Sequence, residues 1–279
     1  MHLCEQHLID DVTRKTKRDL RKYALKPGKI AVALSGGKDS SALLYLMHTI
    51  LAPNQKIEII AITVDEGISS YREKTIGNAS NLTDNLGIEH TIVSFEDAFG
   101  RTLDDLIGTT AHPPCSICGA LRKNLLNRTA KELGAGYLAI GHNLDDEAQT
   151  ILANHLHGDI GRLARLSHAR VQPGLVPRIK PLRHVPESEV IAYGRAVGLS
   201  VCPKECPYVD EAYRLGVRVF LSEFEEKHPG TRHAIVRGFD RMAGALLNMY
   251  PRAALVPCRI CGEPCMGGVC QACKMLDRA

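Results

Sequence analysis

Apolar residues occur along this chain in short continuous runs that alternate with stretches of helical period. Strands and helices that alternate in this way form βαβ units, so the pattern predicts an α/β fold with a mostly parallel, doubly wound sheet covered on both faces. The predicted strands lie at residues 30–34, 56–64, 88–95, 136–140 and 175–179. The predicted helices lie at residues 8–25, 71–86, 97–107, 118–133, 143–157, 186–198, 208–227 and 230–248, with another directly after residue 40.

The same pattern divides the chain into three predicted parts. Residues 1–26 form a basic N-terminal helix with a partial CxxH metal motif, and Pro27-Gly28 ends it. Residues 27–250 form the main domain, and residues 251–279 form a small cysteine-rich unit. In the helix predicted at 208–227, one stripe carries Val209, Tyr213, Phe220 and Phe224.

Composition narrows the class of protein. A chain of 279 residues with 44% hydrophobic residues buries a substantial core. It has no apolar run of about 18 residues, and its N-terminus lacks the apolar segment of a signal peptide, so we expect a cytoplasmic protein with no membrane partner. The net charge of +4 is modest. Ten cysteines in such a chain favour metal binding or catalysis over disulfides.

The segment after the first strand has the chemistry of a phosphate site. Glycines let the backbone approach an anion, and the N–H groups of the first helical turn point at it. The spacing differs from the common GxxxxGK[ST] loop because the two glycines are adjacent. The candidate nucleotide-binding residues are Ser35, Gly36, Gly37, Lys38, Asp39 and Ser40. This SGGKDS sequence resembles the PP-loop of the ATP pyrophosphatases, which implies an adenine nucleotide alpha hydrolase-like fold and cleavage of ATP to AMP and pyrophosphate.

Other polar residues follow predicted strand ends, where ligands of parallel sheets bind. Val64 and Asp65 end the second strand, and Gly141 begins GHNLDDEAQT after the fourth. The acids of that motif fit two interpretations. They complement the dipole of a helix that Asn143 caps, or one of them, with Asp146 as candidate, holds Mg²⁺ or handles a proton beside the nucleotide. Asp39 is the second Mg²⁺ candidate, and with SGGKDS the motif resembles the second signature of PP-loop enzymes that act on tRNA.

A CxxC pair, Cys115 and Cys118, precedes another helix. Alone, it is compatible with a zinc half-site, a redox pair or iron-sulfur ligands. Cys202 and Cys206 lie in VCPKECPY, and a third thiolate from this segment would leave one iron of a cubane cluster open, whereas a structural zinc site has no open position.

Four motifs in order, SGGKDS, CSICG, GHNLDDEAQT and ECPY, together with a cysteine-rich C-terminus, are similar to the tRNA 2-thiouridine synthetases of the TtuA group. The resemblance covers about residues 30–275. It implies an oxygen-sensitive [4Fe-4S] cluster on Cys115, Cys118 and Cys206. Cys206 is preferred to Cys202 as the third ligand because the family cysteine precedes Pro-Tyr, here Pro207-Tyr208. Persulfide and disulfide chemistry at the same cysteines is the alternative.

Two CxxC pairs at the C-terminus predict a zinc ribbon. The four predicted zinc ligands are Cys258, Cys261, Cys270 and Cys273, and Cys265 is a fifth candidate. An RNA-contacting knuckle and a purely structural clip are both compatible with this unit. At the other terminus, Cys4 and His7 correspond to only half of the zinc module with which relatives begin.

These observations predict an ATP-dependent tRNA-uridine 2-sulfurtransferase, in which Lys38, Asp146 and the three cluster cysteines act on the substrate. The expected cofactors are ATP, Mg²⁺, a [4Fe-4S] cluster and Zn²⁺. The resemblance implies a homodimer and, as sulfur donor, a ubiquitin-like thiocarboxylate protein or sulfide. The alternatives are another PP-loop tRNA modifier (a 2-thiocytidine synthetase or a tRNA cytidine lysine ligase) and a non-catalytic RNA-binding scaffold.

Two basic stretches are candidates for holding the tRNA backbone. Their residues are Arg14, Lys15, Lys17, Arg18, Arg21 and Lys22 in the first stretch, and Arg162, Arg165, Arg170, Arg178, Lys180 and Arg183 in the second.

Overall fold

A single parallel sheet forms the centre of the main domain. The computed structural model describes residues 4–110, 112–167, 172–200, 206–208, 214–251 and 253–276. The strands of this sheet are β1 (Gly28–Ala33), β2 (Ile57–Asp65), β3 (Glu89–Ser94), β4 (Ala135–Ala139) and β5 (Arg178–Ile179), in the order β3-β2-β1-β4-β5. All four pairings are parallel, so the predicted α/β fold with a doubly wound sheet is confirmed.

Helices connect the strands and cover the sheet. They are α1 (Glu5–Arg21), α2 (Lys38–Leu51), α3 (Arg72–Leu86), α4 (Phe95–Phe99), α5 (Leu103–Leu106), α6 (Pro114–Glu132), α7 (Leu144–Leu156), α8 (Ile160–Ala164), α9 (Glu187–Ala196), α10 (Arg214–Lys227), α11 (Thr231–Met249) and α12 (Gln271–Met275). None of the helices in the described residues is both long enough and apolar enough to cross a membrane.

The two faces of the sheet carry separate cores, because side chains alternate along each strand. In the central strand β1, Ile30 and Val32 are fully buried and pack with residues of α1, α2 and α9. Ala31, between them, belongs to the opposite core with residues of α4, α5 and α6. Burial on both faces explains why β1 and β2 appear in the sequence as continuous apolar runs.

A third core lies beside the sheet and joins four helices. Leu144 and Ile151 of α7 pack there with Val217 and Leu221 of α10. Phe239 of α11 is fully buried in the same cluster. This core holds α10 against α7, whose N-terminus follows β4.

The ribbon at the C-terminus consists of an antiparallel pair, β6 (Val256–Pro257) with β7 (Pro264–Cys265), and α12. It packs against α6, and its cysteines share a core with the buried side chains of that helix. Asn127 of α6, itself buried, donates from Nδ2 to Glu263 Oε2 over 2.7 Å. The ribbon is therefore docked on the helix that begins with Cys115.

Several elements differ from the sequence-based expectation. The helix predicted at 97–107 is two short helices, α4 and α5, because Gly100 adopts a left-handed conformation with φ of 78°. The fifth strand is only two residues long, and α8 was not predicted. In α10 the buried residues are Val217 and Leu221, whereas Phe220 and Phe224 are 53% and 40% exposed. Val209 and Tyr213 of the predicted stripe lie outside the described residues.

Candidate active site

The SGGKDS segment forms a tight turn between β1 and α2. Gly36 has φ of +76°, and a Cβ there would lie 1.8 Å from the backbone oxygen of Thr75. Only glycine fits this position. Ser40 Oγ accepts a hydrogen bond from Ser35 N over 3.1 Å and lies 2.9 Å from Ser35 Oγ. The two hydroxyls thus close the turn, and α2 begins at Lys38 directly after Gly37, so the N–H groups of its first turn are at the loop.

Lys38, the cation of the loop, is held by two carboxylates. Its Nζ lies 2.8 Å from Asp39 Oδ2 and 2.8 Å from Glu187 Oε1. Although burial alone would lower it, these carboxylates raise the pKa of Lys38 well above its usual value, so the amine stays charged. The pKa of Asp39 is raised overall, because the effect of burial exceeds the opposite effects of Lys38 and Asn143. A phosphate can replace either carboxylate as partner of the ammonium group.

The segment after β4 closes on the loop. A Cβ at Gly141 would lie 3.1 Å from Ser40 N, so the glycine permits a close backbone approach. Asn143 caps α7 in a reciprocal capping box with Asp146, and Asn143 Nδ2 also donates to Asp39 Oδ1 over 3.0 Å. The predicted cap at Asn143 is confirmed. Asp146 Oδ2 accepts from Asn143 N over 3.2 Å, so the two predicted Mg²⁺ residues share Asn143 as a hydrogen-bond partner.

The other two acids of the motif face the scaffold. Asp145 accepts from Glu187 N over 2.8 Å and lies 2.5 Å from Arg232 Nη1. Glu147 is buried and lies 2.5 Å from Lys180 Nζ and 3.0 Å from Arg183 Nε. Of the three consecutive acids, Asp146 is the one turned toward the loop.

Those contacts correct part of the predicted RNA surface. Arg183 is only 3% exposed and also binds both carboxylate oxygens of Asp240, at 2.7 and 2.8 Å. Lys180 is largely buried against Glu147. Both cations compensate buried carboxylates, so the expectation that they contact tRNA was wrong, while Arg170 lies outside the described residues.

The carboxyl end of β2 adds a buried arginine that the sequence analysis missed. Arg72 Nη1 donates to Ser35 O over 3.1 Å, and its Nη2 donates to Val64 O. Its Nε lies 2.8 Å from Glu66 Oε2. Asp65 accepts from Gly67 N over 2.9 Å and so orders the turn after the strand. Arg72 thereby fixes the PP-loop to the end of β2. In the sequence, this arginine could have been noticed only because it follows the acidic pair at that strand end.

The three predicted cluster cysteines lie in one region but not as a compact set. Cys118 and Cys206 pack against the same core, and Cys115 precedes Cys118 by three residues in α6. Within the described residues, their sulfurs do not form a group that lies within 4.8 Å of one another. The region between these cysteines and the PP-loop, at the carboxyl ends of β1 and β2, is called the crevice below.

Cys115, exposed in the first turn of α6, donates from Sγ to Tyr208 O over 3.5 Å. Burial raises the pKa of Cys118 to about 11, with smaller contributions from Glu66, Cys206 and Cys115, while Arg122 lowers it. Burial also raises the pKa of Cys206, and Cys115 adds to that shift. Cys202, the other candidate, lies outside the described residues.

Glu66 joins the cysteine side to the nucleotide side. Its carboxylate lies 2.8 Å from Arg72 Nε and 3.5 Å from Arg122 Nη1. Arg72 holds Ser35 of the loop, and Arg122 is close enough to lower the pKa of Cys118. A continuous set of contacts therefore runs from Ser35 of the phosphate loop to the surroundings of Cys118. It passes through Arg72, Glu66 and Arg122, none of which belongs to a predicted motif.

The C-terminal cysteines form a different kind of site. The ligand atoms of Cys258, Cys261, Cys270 and Cys273 all lie within 4.8 Å of one another, as four ligands of one zinc ion require. Cys265 is buried nearby but is not a member of this set.

The N-terminal pair is an incomplete site. Cys4 Sγ lies 3.1 Å from His7 Nδ1, and within the described ranges no third ligand joins them. A tetrahedral zinc site needs four ligands, so the predicted metal at this end stays a prediction.

A group of cations lies beside the cysteines. Burial lowers the pKa of Lys123, and the nearby positive charges of Arg178, Arg122, Arg162 and Lys180 lower it further. Arg178 Nη2 contacts Lys123 O at 3.4 Å. In α1, by contrast, Lys15 and Lys22 lie 2.7 and 2.9 Å from acids of the same helix, and Arg14 also contacts Asp11. Several cations therefore lie close together beside α6, although Arg162 and Lys180 among them also contact Asp159 and Glu147.

The PP-loop domain family matches residues 8–213 of the chain. A protein named tRNA 2-thiolation protein NcsA from Haloferax volcanii is 36% identical over 297 residues, which cover 99% of this chain and 92% of the relative. The tRNA-5-methyluridine(54) 2-sulfurtransferase of Pyrococcus horikoshii is 36% identical over 277 residues, covering 98% and 87% of the two chains. The chain therefore belongs to the PP-loop family that includes these tRNA 2-thiolation proteins.

A solved structure agrees with this assignment over the whole fold. The U34-tRNA thiolase NcsA from Methanococcus maripaludis, solved with its [4Fe-4S] cluster, superimposes with a TM-score of 0.87 at 36% identity. The match covers 99% of this chain and 90% of that one.

Proposed function

We propose that this protein is an ATP-dependent tRNA 2-thiolase that converts a uridine to 2-thiouridine. The observation that carries the proposal is the joining of two half-sites in one crevice. The phosphate loop at Ser35 contacts Arg72, Arg72 contacts Glu66, and Glu66 contacts Arg122 beside Cys118. Activation of a carbonyl by ATP and delivery of sulfur to the same carbon both need to happen in such a place.

The nucleotide side would activate the base. The C2 oxygen of the uridine attacks the α-phosphorus of ATP, and the bond from that phosphorus to the pyrophosphate oxygen breaks. The backbone N–H groups of Gly36 and Gly37 and the Lys38 ammonium stabilise the charge on the phosphates. Asp39 and Asp146, which both hydrogen-bond Asn143, are the residues that would hold Mg²⁺.

The cysteine side would supply the sulfur. Cys118 and Cys206 pack against one core and Cys115 precedes Cys118 by three residues in α6, so these three thiols would hold the [4Fe-4S] cluster. When bound, that cluster supplies an iron without a cysteine ligand that can hold sulfide. Sulfide then attacks C2, and AMP leaves with the former C2 oxygen, so that sulfur replaces oxygen and no net oxidation occurs. Arg122 is placed to offset the negative charge on the thiolates.

The positive surface at Lys123, Arg162 and Arg178 supports a polyanionic substrate beside the crevice. Phosphates of a tRNA loop would lie on it while the target base, unstacked, reaches the nucleotide. The ribbon, with zinc on Cys258, Cys261, Cys270 and Cys273, is proposed as a structural clip for α6.

The remaining parts of the proposal concern the surroundings of the enzyme. We propose a cytoplasmic homodimer that receives sulfur as sulfide or from a ubiquitin-like thiocarboxylate protein. Relatives named cytoplasmic tRNA 2-thiolation protein 1, for example in Drosophila melanogaster, support the location. The division into residues 1–26, 27–250 and 251–279 is likewise proposed, and limited proteolysis tests these boundaries.

The test is anaerobic reconstitution of the purified protein with iron and sulfide, followed by reaction with ATP and tRNA. Mass spectrometry of the nucleosides is expected to show 2-thiouridine with the natural chain and none with Cys206→Ala, which should also lack the visible absorbance of the cluster. Thr49→Ala, at an exposed residue of α2, is the control and should keep both. Thiolation by a protein without cluster absorbance would contradict the iron-sulfur mechanism, and lysylated or thiolated cytidine would identify another PP-loop activity.

A further inference from the structure

Two arginines of α10 lie against polar groups of the nucleotide side. Arg214 and Arg218 are four residues apart, so they share one face of the helix. Arg214 Nη2 donates to Asp146 O over 3.2 Å and lies 3.6 Å from Asp146 Oδ1. Arg218 Nη2 lies 3.7 Å from Glu187 Oε1. The buried residues Val217 and Leu221 fix the helix, so the fold sets where the two side chains begin.

The carboxylates that these arginines contact belong to the nucleotide side. Glu187 Oε1 is shared between Arg218 and Lys38, whose Nζ lies 2.8 Å away. Asp146 and Asp39 both hydrogen-bond Asn143, and Asp39 binds the same lysine. Lys38 of α2 and the two arginines of α10 are therefore linked through the carboxylates of one site.

We propose that Arg214 and Arg218 bind the two phosphates of ATP that leave as pyrophosphate. This inference rests on the proposed cleavage of ATP at its α-phosphate. A guanidinium group matches phosphate oxygens in a two-point geometry that an ammonium group lacks. Both side chains are free to turn toward a ligand, since they are 45% and 44% exposed and their carboxylate distances of 3.6 and 3.7 Å exceed those of strong charged hydrogen bonds.

The same contacts would distinguish ATP from AMP. A triphosphate would place its β- and γ-phosphates at both arginines, whereas AMP has neither phosphate. The two arginines are thus assigned to discrimination between ATP and the AMP that remains after cleavage.

The test measures binding by calorimetry with three probes, namely Mg²⁺-pyrophosphate, α,β-methylene ATP and AMP, in the absence of tRNA. For Arg214→Gln and for Arg218→Gln, we expect affinity for pyrophosphate and for the ATP analogue to fall about tenfold or more, because a charge-assisted hydrogen bond is lost. Affinity for AMP should stay within about twofold, since the lost contacts are at the leaving phosphates. Arg241→Gln, at an exposed arginine of α11, is the matched control and should change none of the three.

Two outcomes would overturn the inference. One is unchanged affinity for pyrophosphate in both variants. The other is an equal loss of AMP and pyrophosphate affinity, accompanied by a lower melting temperature, which would make the arginines structural partners of Asp146 and Glu187. Since no tRNA is present, these results stand apart from the proposed function. A chain that binds pyrophosphate through α10 but forms no 2-thiouridine would keep this inference and contradict the thiolase proposal.

Discussion

The two cysteine sets of this protein differ in ligand number and in how closely their sulfurs gather. In the ribbon, four sulfurs lie close enough to surround one ion; three of these cysteines are buried and Cys261 is exposed. In the crevice there are three cysteines, of which Cys115 is exposed and Cys118 is half-buried near Arg122. The first set completes a tetrahedral zinc site, whereas the second supplies one ligand fewer. Ligand number therefore separates a structural metal site from a reactive one within one chain.

Protonation sets one ribbon thiol apart from the rest. Against the effect of burial, backbone N–H groups of Cys261 and Cys270 lower the pKa of Cys258 to about 6. Burial raises the pKa of Cys270 to about 11 and also raises the pKa of Cys273. It likewise raises the pKa of Cys118 in the crevice to about 11. Backbone donors therefore favour a thiolate at Cys258, and the other buried thiols of both sets lose their protons when a metal binds.

The largest effect that separates the two sets is expected from Cys273→Ala. The ribbon would lose its fourth ligand and its zinc, and the free energy of unfolding should fall by more than about 4 kcal/mol, as is typical when a structural metal is lost. Thermal unfolding and zinc content measure this. Cys206→Ala, in the crevice, is the comparison variant. In the chain that holds zinc but no iron-sulfur cluster, it should change the free energy of unfolding by less than about 1 kcal/mol. Equal destabilisation by both variants would remove the distinction between the two sets.

A smaller effect is expected where the ribbon meets α6. Asn127 donates to Glu263 and accepts from Val176 N over 2.9 Å, both in the interior. Asn127→Ala leaves these two groups without that partner, so we expect a loss of about 2–4 kcal/mol in the free energy of unfolding. The reconstituted cluster should also decay faster in air, since α6 begins at its first ligands.

The matched control is Asn124→Ala on the same helix. Asn124 is half-buried and its Nδ2 lies 3.9 Å from Cys270 Sγ, a weak contact, so the expected loss is less than about 1 kcal/mol. Denaturant unfolding and the decay of visible absorbance give both readouts. A cluster whose lifetime is the same in Asn127→Ala and in the natural chain would show that the ribbon does not support the crevice.

The sequence indicated the scaffold better than the contacts between its parts. Apolar runs joined by helices predict a parallel sheet. The loop at Gly36 could also be predicted, because its glycines and hydroxyl residues are neighbours in the sequence. Arg72 and Glu66 were missed because their roles depend on contacts with residues 30 to 60 positions away in the sequence, such as Ser35 and Arg122. Periodicity carries no information about such pairs.

The acids after Gly141 show the same limit within four residues. Asp145, Asp146 and Glu147 are consecutive and chemically alike, so the sequence could say only that one of them faces the nucleotide. The rotation of α7 decides it: Glu147 turns toward Arg183 and Asp145 toward Arg232, which leaves Asp146 at the loop. That rotation is set by the packing of α7 on α10 and α11, a tertiary effect.

The smallest predicted effect concerns the reactivity of Cys118 in the metal-free protein. Its pKa of about 11 lies above the ordinary thiol value, so the group is protonated at neutral pH and its thiolate fraction rises with pH. Alkylation by iodoacetamide should therefore accelerate about tenfold per pH unit between about pH 8 and pH 10, as followed by mass spectrometry of the Cys118 peptide. Arg122→Gln removes a charge that lowers this pKa, so alkylation at a given pH should become slower. If Cys118 reacts equally fast at both ends of this range, it is already a thiolate. Its pKa would then be low, like that of Cys258 in the ribbon.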